Sequence, residues 1–357
     1  MKATIRVLVV EDSAMMRQIL IDMLQGDPSL QIVGQAQDGL EAVQLTAALR
    51  PDVITMDIRM PRLNGLEATR YIMSTTPTPI VVVANNVYET DLNIAFNAIA
   101  AGALTVVEKP RGLEGDSYEA VADQLITAVR LMSDVQVVSL APTGSPLPRL
   151  PGSGILTPLF TRVKVVAIAA STGGPGVLNQ IVSNLPGDFP VPILVVQHIT
   201  AGFGQGMAHW LNSLTPLKVG VAQAGEPLLP GHVYLAPDDT HLTVSMKGQV
   251  LLDQSEPVNG SRPSANRLFV SVAQVYGQAA IGVILSGMGE DGAEGVSYLK
   301  RAGGYVIAQS EESCVVYGMP RAVVERGLAD QVLPPEQIVS VMKKIASTRQ
   351  SSPALVK

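Results

Sequence analysis

Short apolar runs alternate along the chain with stretches whose apolar positions recur every three or four residues. Ile5 to Val10 is a run suited to a strand buried on both faces of a parallel sheet. Met16, Ile19, Leu20, Met23 and Leu24 follow at helical spacing, with Ser13 placed to cap. The order repeats. Strands are predicted at Gln31–Ala36, at Val53–Met56 ending in Asp57, at Ile80–Ala84 and at Leu104–Val107. Leu40, Val43 and Leu45 open one helix, and Leu125, Ile126 and Val129 mark another. Further on, Val163–Ala170, Pro192–Gln197 and Ala280–Leu285 read as buried strands, and Val177, Leu178, Ile181 and Val182 as a helix face. Strand–helix alternation of this kind predicts α/β domains built on parallel sheets.

The alternation stops between Ala141 and Pro158, where five prolines and three glycines leave no periodic apolar face. Such a segment is a semi-extended linker, so two α/β units are expected. A length of 357 residues also favours two cores over one. Net charge is −6, and no basic stripe stands out, which argues against a nucleic-acid-binding output. The single cysteine, Cys314, forms no internal disulfide. No apolar run reaches the ~18 residues of a membrane span, and the N-terminus reads as a strand instead of a signal peptide. A cytoplasmic protein without membrane insertion is expected.

In an open parallel sheet, ligands meet the carboxyl ends of the strands. In the first unit those ends carry Glu11 and Asp12, Asp57, and Lys109. Three carboxylates suit a hard divalent cation such as Mg²⁺, directly or through water. An aspartate beside such a cation can attack a phosphoryl group, and a lysine can pair with the phosphoryl oxygens.

In the second unit, strand Val163–Ala170 runs straight into Ser171-Thr172-Gly173-Gly174-Pro175-Gly176. A serine at a sharp strand-to-helix turn is exposed when its neighbours are small, as Ala169 and Gly173 are. The helix behind it offers unpaired N–H groups to an oxyanion. The same turn could instead hold a phosphate, although no P-loop lysine follows. Of four histidines, His198 ends a strand and would share an edge with Ser171. His241 is the rival base, His209 reads as a helix-surface or packing residue, and His232 as a turn residue. Glu290 and Asp291, in a glycine-flanked loop after Ala280–Leu285, are the candidate orienting carboxylates. Asp291 also suits a cap for a helix beginning near Ala293.

Val-Glu-Asp-Ser-Ala-Met-Met-Arg, Met-Asp-Ile-Arg-Met-Pro-Arg-Leu-Asn-Gly and Val-Glu-Lys-Pro resemble the signature segments of response-regulator receiver domains. Ala-Ile-Ala-Ala-Ser-Thr-Gly-Gly-Pro, Val-Val-Gln-His, Leu-Ser-Gly-Met-Gly-Glu-Asp-Gly and Val-Tyr-Gly-Met-Pro-Arg resemble the catalytic domain of chemotaxis protein-glutamate methylesterases, the CheB family. The resemblance implies a flavodoxin-like receiver over residues 1–132, a linker over 133–160 and an α/β methylesterase domain over 161–348. It implies Asp57 as phospho-acceptor from a sensor histidine kinase, Mg²⁺ held by Glu11, Asp12 and Asp57, and Lys109 on the phosphate. It implies Ser171 as nucleophile, His198 as base and Asp291 as orienting acid. Thr172 and Met288 would lie beside the serine, with the Met288 N–H an oxyanion donor. The implied reaction is hydrolysis of glutamate methyl esters on methyl-accepting chemotaxis receptors, with deamidation of receptor glutamines and no cofactor for the esterase step. Two positions depart from the receiver pattern. Ala84 stands where a serine or threonine is usual, and Val106 where a tyrosine or phenylalanine is usual. Phosphorylation is expected to proceed and its transmission to be weakened.

Overall fold

The computed structural model describes residues 4–85, 89–110, 116–135, 137 and 163–350. The chain divides into two units, Met1–Ser145 and Pro146–Lys357. The proline- and glycine-rich linker, 141–158, lies outside the described residues.

In the first unit the elements are β1 (Ile5–Val10), α1 (Ala14–Gln25), β2 (Leu30–Ala36), α2 (Gly39–Leu49) and β3 (Val53–Asp57). They continue as α3 (Gly65–Thr75), β4 (Ile80–Ala84), α4 (Glu89–Ala100), β5 (Thr105–Glu108) and α5 (Asp116–Ser133). The sheet is parallel, in the order β2-β1-β3-β4-β5. All five residues of β3 and of β4 are buried, which is why their sequences run apolar without alternation. Ser13 caps α1 as expected, accepting the Met16 N–H. Strand order reverses between β1 and β3, so a crevice opens where Glu11 and Asp57 emerge.

The second unit begins with β6 (Val165–Ala170), α6 (Gly174–Val182), β7 (Ile193–Gln197), α7 (Gly204–Leu214), β8 (Lys218–Val221) and β9 (His232–Leu235). A two-stranded antiparallel hairpin follows, β10 (His241–Val244) with β11 (Val250–Asp253). Then come α8 (Ala265–Tyr276), β12 (Ala280–Ile284), α9 (Ala293–Arg301), β13 (Tyr305–Gln309), α10 (Met319–Glu325), β14 (Gln331–Leu333) and α11 (Pro335–Gln350). The main sheet is parallel, in the order β14-β13-β12-β6-β7-β9-β8. Val165, Ala167 and Ala169 share one core with Leu268, Phe269 and Val272 of α8 and with Val296 and Leu299 of α9. Val166, Ile168 and Ala170 are equally buried and, by the two-residue period, face the opposite side.

The expected class, two doubly wound parallel-sheet domains, is the observed one. Several local expectations change, among them the start of β6, which is Val165 and not Val163. His232 opens strand β9 instead of sitting in the turn before it, and its ring stacks on Tyr234. The fifth strand is shifted by one residue, to Thr105–Glu108. Asp291 does not cap the helix at Ala293, whose N-cap residue is Gly292 and offers no side chain of its own as a cap.

Candidate active site

The order β12-β6-β7 flanks β6, the first strand of this unit, with the next strand on one side and a much later one on the other, which makes it a topological switch point. Its strand ends converge. The Ser171 N–H donates to the Ser286 carbonyl (3.0 Å), and the His198 N–H to the Ala170 carbonyl (2.9 Å). Small residues let the turn close. A Cβ on Gly287 would come 2.7 Å from Ser171 Cβ, and Gly173, at φ +79°, would put a Cβ 2.5 Å from that of Val315.

His198 Nε2 lies 2.9 Å from Asp291 Oδ2. An ionised carboxylate only accepts, so Nε2 carries the proton and Nδ1 is left as the ring's acceptor. Ser171, half-buried, has no hydrogen bond from its hydroxyl among the described residues. The structure therefore joins His198 to Asp291 and brings Ser171 to the adjoining strand end without closing a Ser171–His198 hydrogen bond. Thr172 is part of the same turn, and its carbonyl accepts the Ser286 hydroxyl (2.7 Å). Met288 is 47% exposed, and its N–H has no partner among the described residues.

Asp291 is anchored from a helix distant in sequence. Its Oδ1 accepts the Ser264 hydroxyl (2.9 Å) and the Asn266 N–H (3.1 Å), and its Oδ2 accepts the Ala265 N–H (2.7 Å). It thus caps α8. Asn266 returns the contact, its Oδ1 accepting the N–H groups of Gly292 (3.1 Å) and Gly295 (2.8 Å) at the start of α9. Two helix N-termini exchange caps, which satisfies orphan donors at both. Burial pushes the Asp291 carboxyl up, but the His198 hydrogen bond and charge and the two backbone N–H groups hold it below its ordinary value. Glu290, the other candidate, is exposed and pairs with Arg326.

The rival base is committed elsewhere. His241 is fully buried, its Nδ1 accepting the Ser264 N–H (3.1 Å) and its Nε2 lying 3.2 Å from the Glu256 carbonyl. Both nitrogens being engaged, it supports the start of α8. His209 sits on α7, exposed.

In the first unit, Lys109 Nζ lies 2.7 Å from Glu11 Oε2 and 2.7 Å from Asp57 Oδ1. Asp57 Oδ1 also accepts the Ile58 N–H (2.7 Å). A cavity of 360 Å³ opens over these groups, and Asp12, Ala84 and Asn85 also line it. Burial, then the Asp57 charge, push the Glu11 carboxyl up to about 7. Burial likewise raises Asp57. Burial alone would lower Lys109, but Asp57 and Glu11 hold its ammonium above its usual value. Carboxylate oxygens of Glu11, Asp12 and Asp57 lie within 4.8 Å of one another. An all-oxygen donor set with negative charge in excess over one lysine fits a hard divalent cation.

Sequence reasoning missed the residues that pin the serine turn. Gln197 Nε2 donates to the Ser171 carbonyl (2.8 Å), and Ser286 holds Thr172 from the other side. Gln309 in turn accepts the Ser286 N–H (2.7 Å). Gln197 stood in the Val-Val-Gln-His segment, but nothing there distinguishes a strand-end glutamine from one facing solvent.

Comparison with known proteins gives the same two parts. Residues 166–342 match the CheB methylesterase family model, and residues 7–115 the response regulator receiver domain model. A Myxococcus xanthus relative, protein-glutamate methylesterase/protein-glutamine glutaminase 4, is 51% identical over 92% of this chain and 93% of its own. A Thermotoga maritima relative of the same name is 42% identical over 95% of this chain and 98% of its own. The crystal structure of the Thermotoga maritima CheB methylesterase catalytic domain is 44% identical. It covers 52% of this chain and 98% of that one, with a TM-score of 0.50. Identity of this extent across both parts shows that the chain belongs to the protein-glutamate methylesterase/protein-glutamine glutaminase family, with a response-regulator receiver domain in front of a CheB methylesterase domain.

Proposed function

We propose that this chain removes methyl esters from glutamate side chains of chemotaxis receptors, and deamidates receptor glutamines, through Ser171, His198 and Asp291. The observation that carries the reading is the 2.9 Å His198–Asp291 contact at the strand edge that also bears Ser171. Ser171 Oγ attacks the ester carbonyl carbon while His198 Nδ1 takes its proton. The C–O bond to methanol breaks as His198 returns that proton, leaving an acyl-enzyme. Water, deprotonated at the same nitrogen, releases the glutamate. A glutamine substrate follows the same steps with ammonia leaving. The Met288 N–H and, in the first turn of α6, the Gly176 N–H are the donors available to the oxyanion, since Gly174 donates to the Ser171 carbonyl and Pro175 has no N–H. Asp291 holds the ring and stabilises the imidazolium. The domain limits that go with this reading are 1–132, 133–160 and 161–348. The test is release of labelled methanol from receptor-bearing membranes whose glutamates carry labelled methyl groups. Release is expected, and its absence would overturn the assignment of substrate.

The receiver is assigned phosphorylation at Asp57 by a sensor histidine kinase, with Mg²⁺ held by Glu11, Asp12 and Asp57 and with Lys109 on the phosphoryl oxygens. When bound, Mg²⁺ would offset the charge of the incoming phosphoryl group. Among the described residues no helix is long and apolar enough to cross a membrane.

Transmission should be weak. Ala84 lines the cavity but has no hydroxyl, and Val106 is buried with no ring to relocate. A phosphoryl group shifts an equilibrium only through contacts that differ between states. Phosphodonor should therefore raise methanol release only severalfold, and Ala84→Ser with Val106→Phe should enlarge that response. Strong activation of the parent chain would assign the switch to Asn85 or another group.

A further inference from the structure

Gln197 is the last residue of β7, 7% exposed, and its side chain turns back beneath the serine turn. Its Nε2 donates to two backbone carbonyls, that of Ser171 at 2.8 Å and that of His198 at 2.8 Å. Both partners only accept, which fixes the carboxamide orientation. Its Oε1 is then buried with no hydrogen-bond partner among the described residues. The space around that oxygen is closed by Gly174, where a Cβ would come 2.3 Å from it.

A buried acceptor without a partner costs stability, and a methionine or leucine would fill the same space without that cost. The two donated bonds do what an apolar residue cannot. They tie the backbone of the serine to the backbone of the histidine through one planar group. The Ser171 carbonyl has a second donor, the Gly174 N–H at 2.8 Å. The His198 carbonyl has no other backbone donor among the described residues. Removing the carboxamide therefore frees His198 more than it frees the serine turn.

We propose that Gln197 is a positioning residue that sets the spacing of nucleophile and base, and that it is kept at the expense of stability. This rests on Ser171 and His198 acting as proposed above. Misplacing reacting groups by about 1 Å can cost ~10²-fold in rate, whereas substrate affinity depends on surfaces away from this buried amide.

The test uses the full chain with Gln197→Met and Gln197→Glu, the second isosteric but with oxygen in place of Nε2. Methanol release gives kcat and KM, thermal unfolding gives Tm, and Ser171→Ala is run alongside. In Gln197→Met, kcat should fall by roughly 10- to 100-fold with KM within about twofold. Its Tm should stay within about 4 °C of the parent, because the orphaned Oε1 is removed while the His198 carbonyl loses its donor. Gln197→Glu should lose at least as much kcat and also lose stability, since a carboxylate would face two carbonyl oxygens. Full kcat in Gln197→Met overturns the proposal, provided Ser171→Ala is inactive. A large Tm loss or an insoluble Met variant also overturns it, by assigning the side chain to the fold. Turnover surviving in Ser171→Ala would instead remove the reading on which the proposal stands.

Discussion

Asp291→Asn is expected to lower kcat by ~10⁴-fold with KM little changed. The reason is the tautomer. Asp291 Oδ2 accepts from His198 Nε2 at 2.9 Å, which keeps Nδ1 unprotonated and available as base. An asparagine puts its NH₂ either in the place of Oδ2, facing both His198 Nε2 and the Ala265 N–H, or in the place of Oδ1, facing the Ser264 hydroxyl and the Asn266 N–H. Facing Nε2, it drives the ring proton to Nδ1 and blocks proton abstraction. Facing Ala265 or Asn266, it sets two donors against each other, at ~1–3 kcal/mol. The variant should therefore be slightly destabilised as well as inactive. The carboxylate in the parent chain has a depressed pKa, so its contacts stabilise the fold above the ordinary value of 3.8. That contribution is lost as pH falls through the lowered value, and Asp291→Asn should lack this part of the acid sensitivity. Kinetics and acid-unfolding curves of the two proteins check both parts. Near-parental kcat would show that Asp291 serves only the helix cap.

Asp57→Asn is expected to abolish phosphoryl labelling completely. Asp57 Oδ1 is engaged by Lys109 and the Ile58 N–H, while Oδ2 makes no hydrogen bond among the described residues. In the proposed phosphorylation, Oδ2 is thus the oxygen left to attack phosphorus. Replacing the carboxylate removes the nucleophile and one ligand of the proposed cation together. Removing its charge also lifts the repulsion that helps hold Glu11 at about 7, so the Glu11 pKa should fall. The check is labelling by a small phosphodonor with Mg²⁺, followed by acid quench and peptide mapping. Label retained in Asp57→Asn would place the acceptor elsewhere.

The strand framework was legible because the site-bearing strands carry buried apolar residues on both faces and end abruptly in polar or glycine residues. Ile5–Val10, Ile80–Ala84 and Ala280–Leu285 match the observed strands to within one residue. The placement of Glu11, Asp57, Lys109, Ser171 and His198 follows from those strand ends and parallel order. The exchange of caps between Asp291 and Asn266 was not legible, because it joins the loop before α9 to the first turn of α8, 25 residues away, with no periodic signal. Nor was the use of Nε2 toward the carboxylate, because either ring nitrogen of a strand-end histidine can face a partner. His241 read as a rival base because sequence cannot reveal that Ser264 and Glu256 engage both its nitrogens. The β10–β11 hairpin escaped because its strands are four residues long and lack a strong turn dipeptide.

Ser171 is proposed as the nucleophile of a methylesterase reaction, and everything assigned to His198, Asp291 and Gln197 depends on that role. It is tested most directly by methanol release from methyl-labelled receptor membranes, measured with the parent chain and with Ser171→Ala at matched concentration. Steady release is expected from the parent and a loss of ~10⁴-fold or more in the variant, with an unchanged unfolding temperature. Release at the parental rate by a folded Ser171→Ala chain would contradict that role.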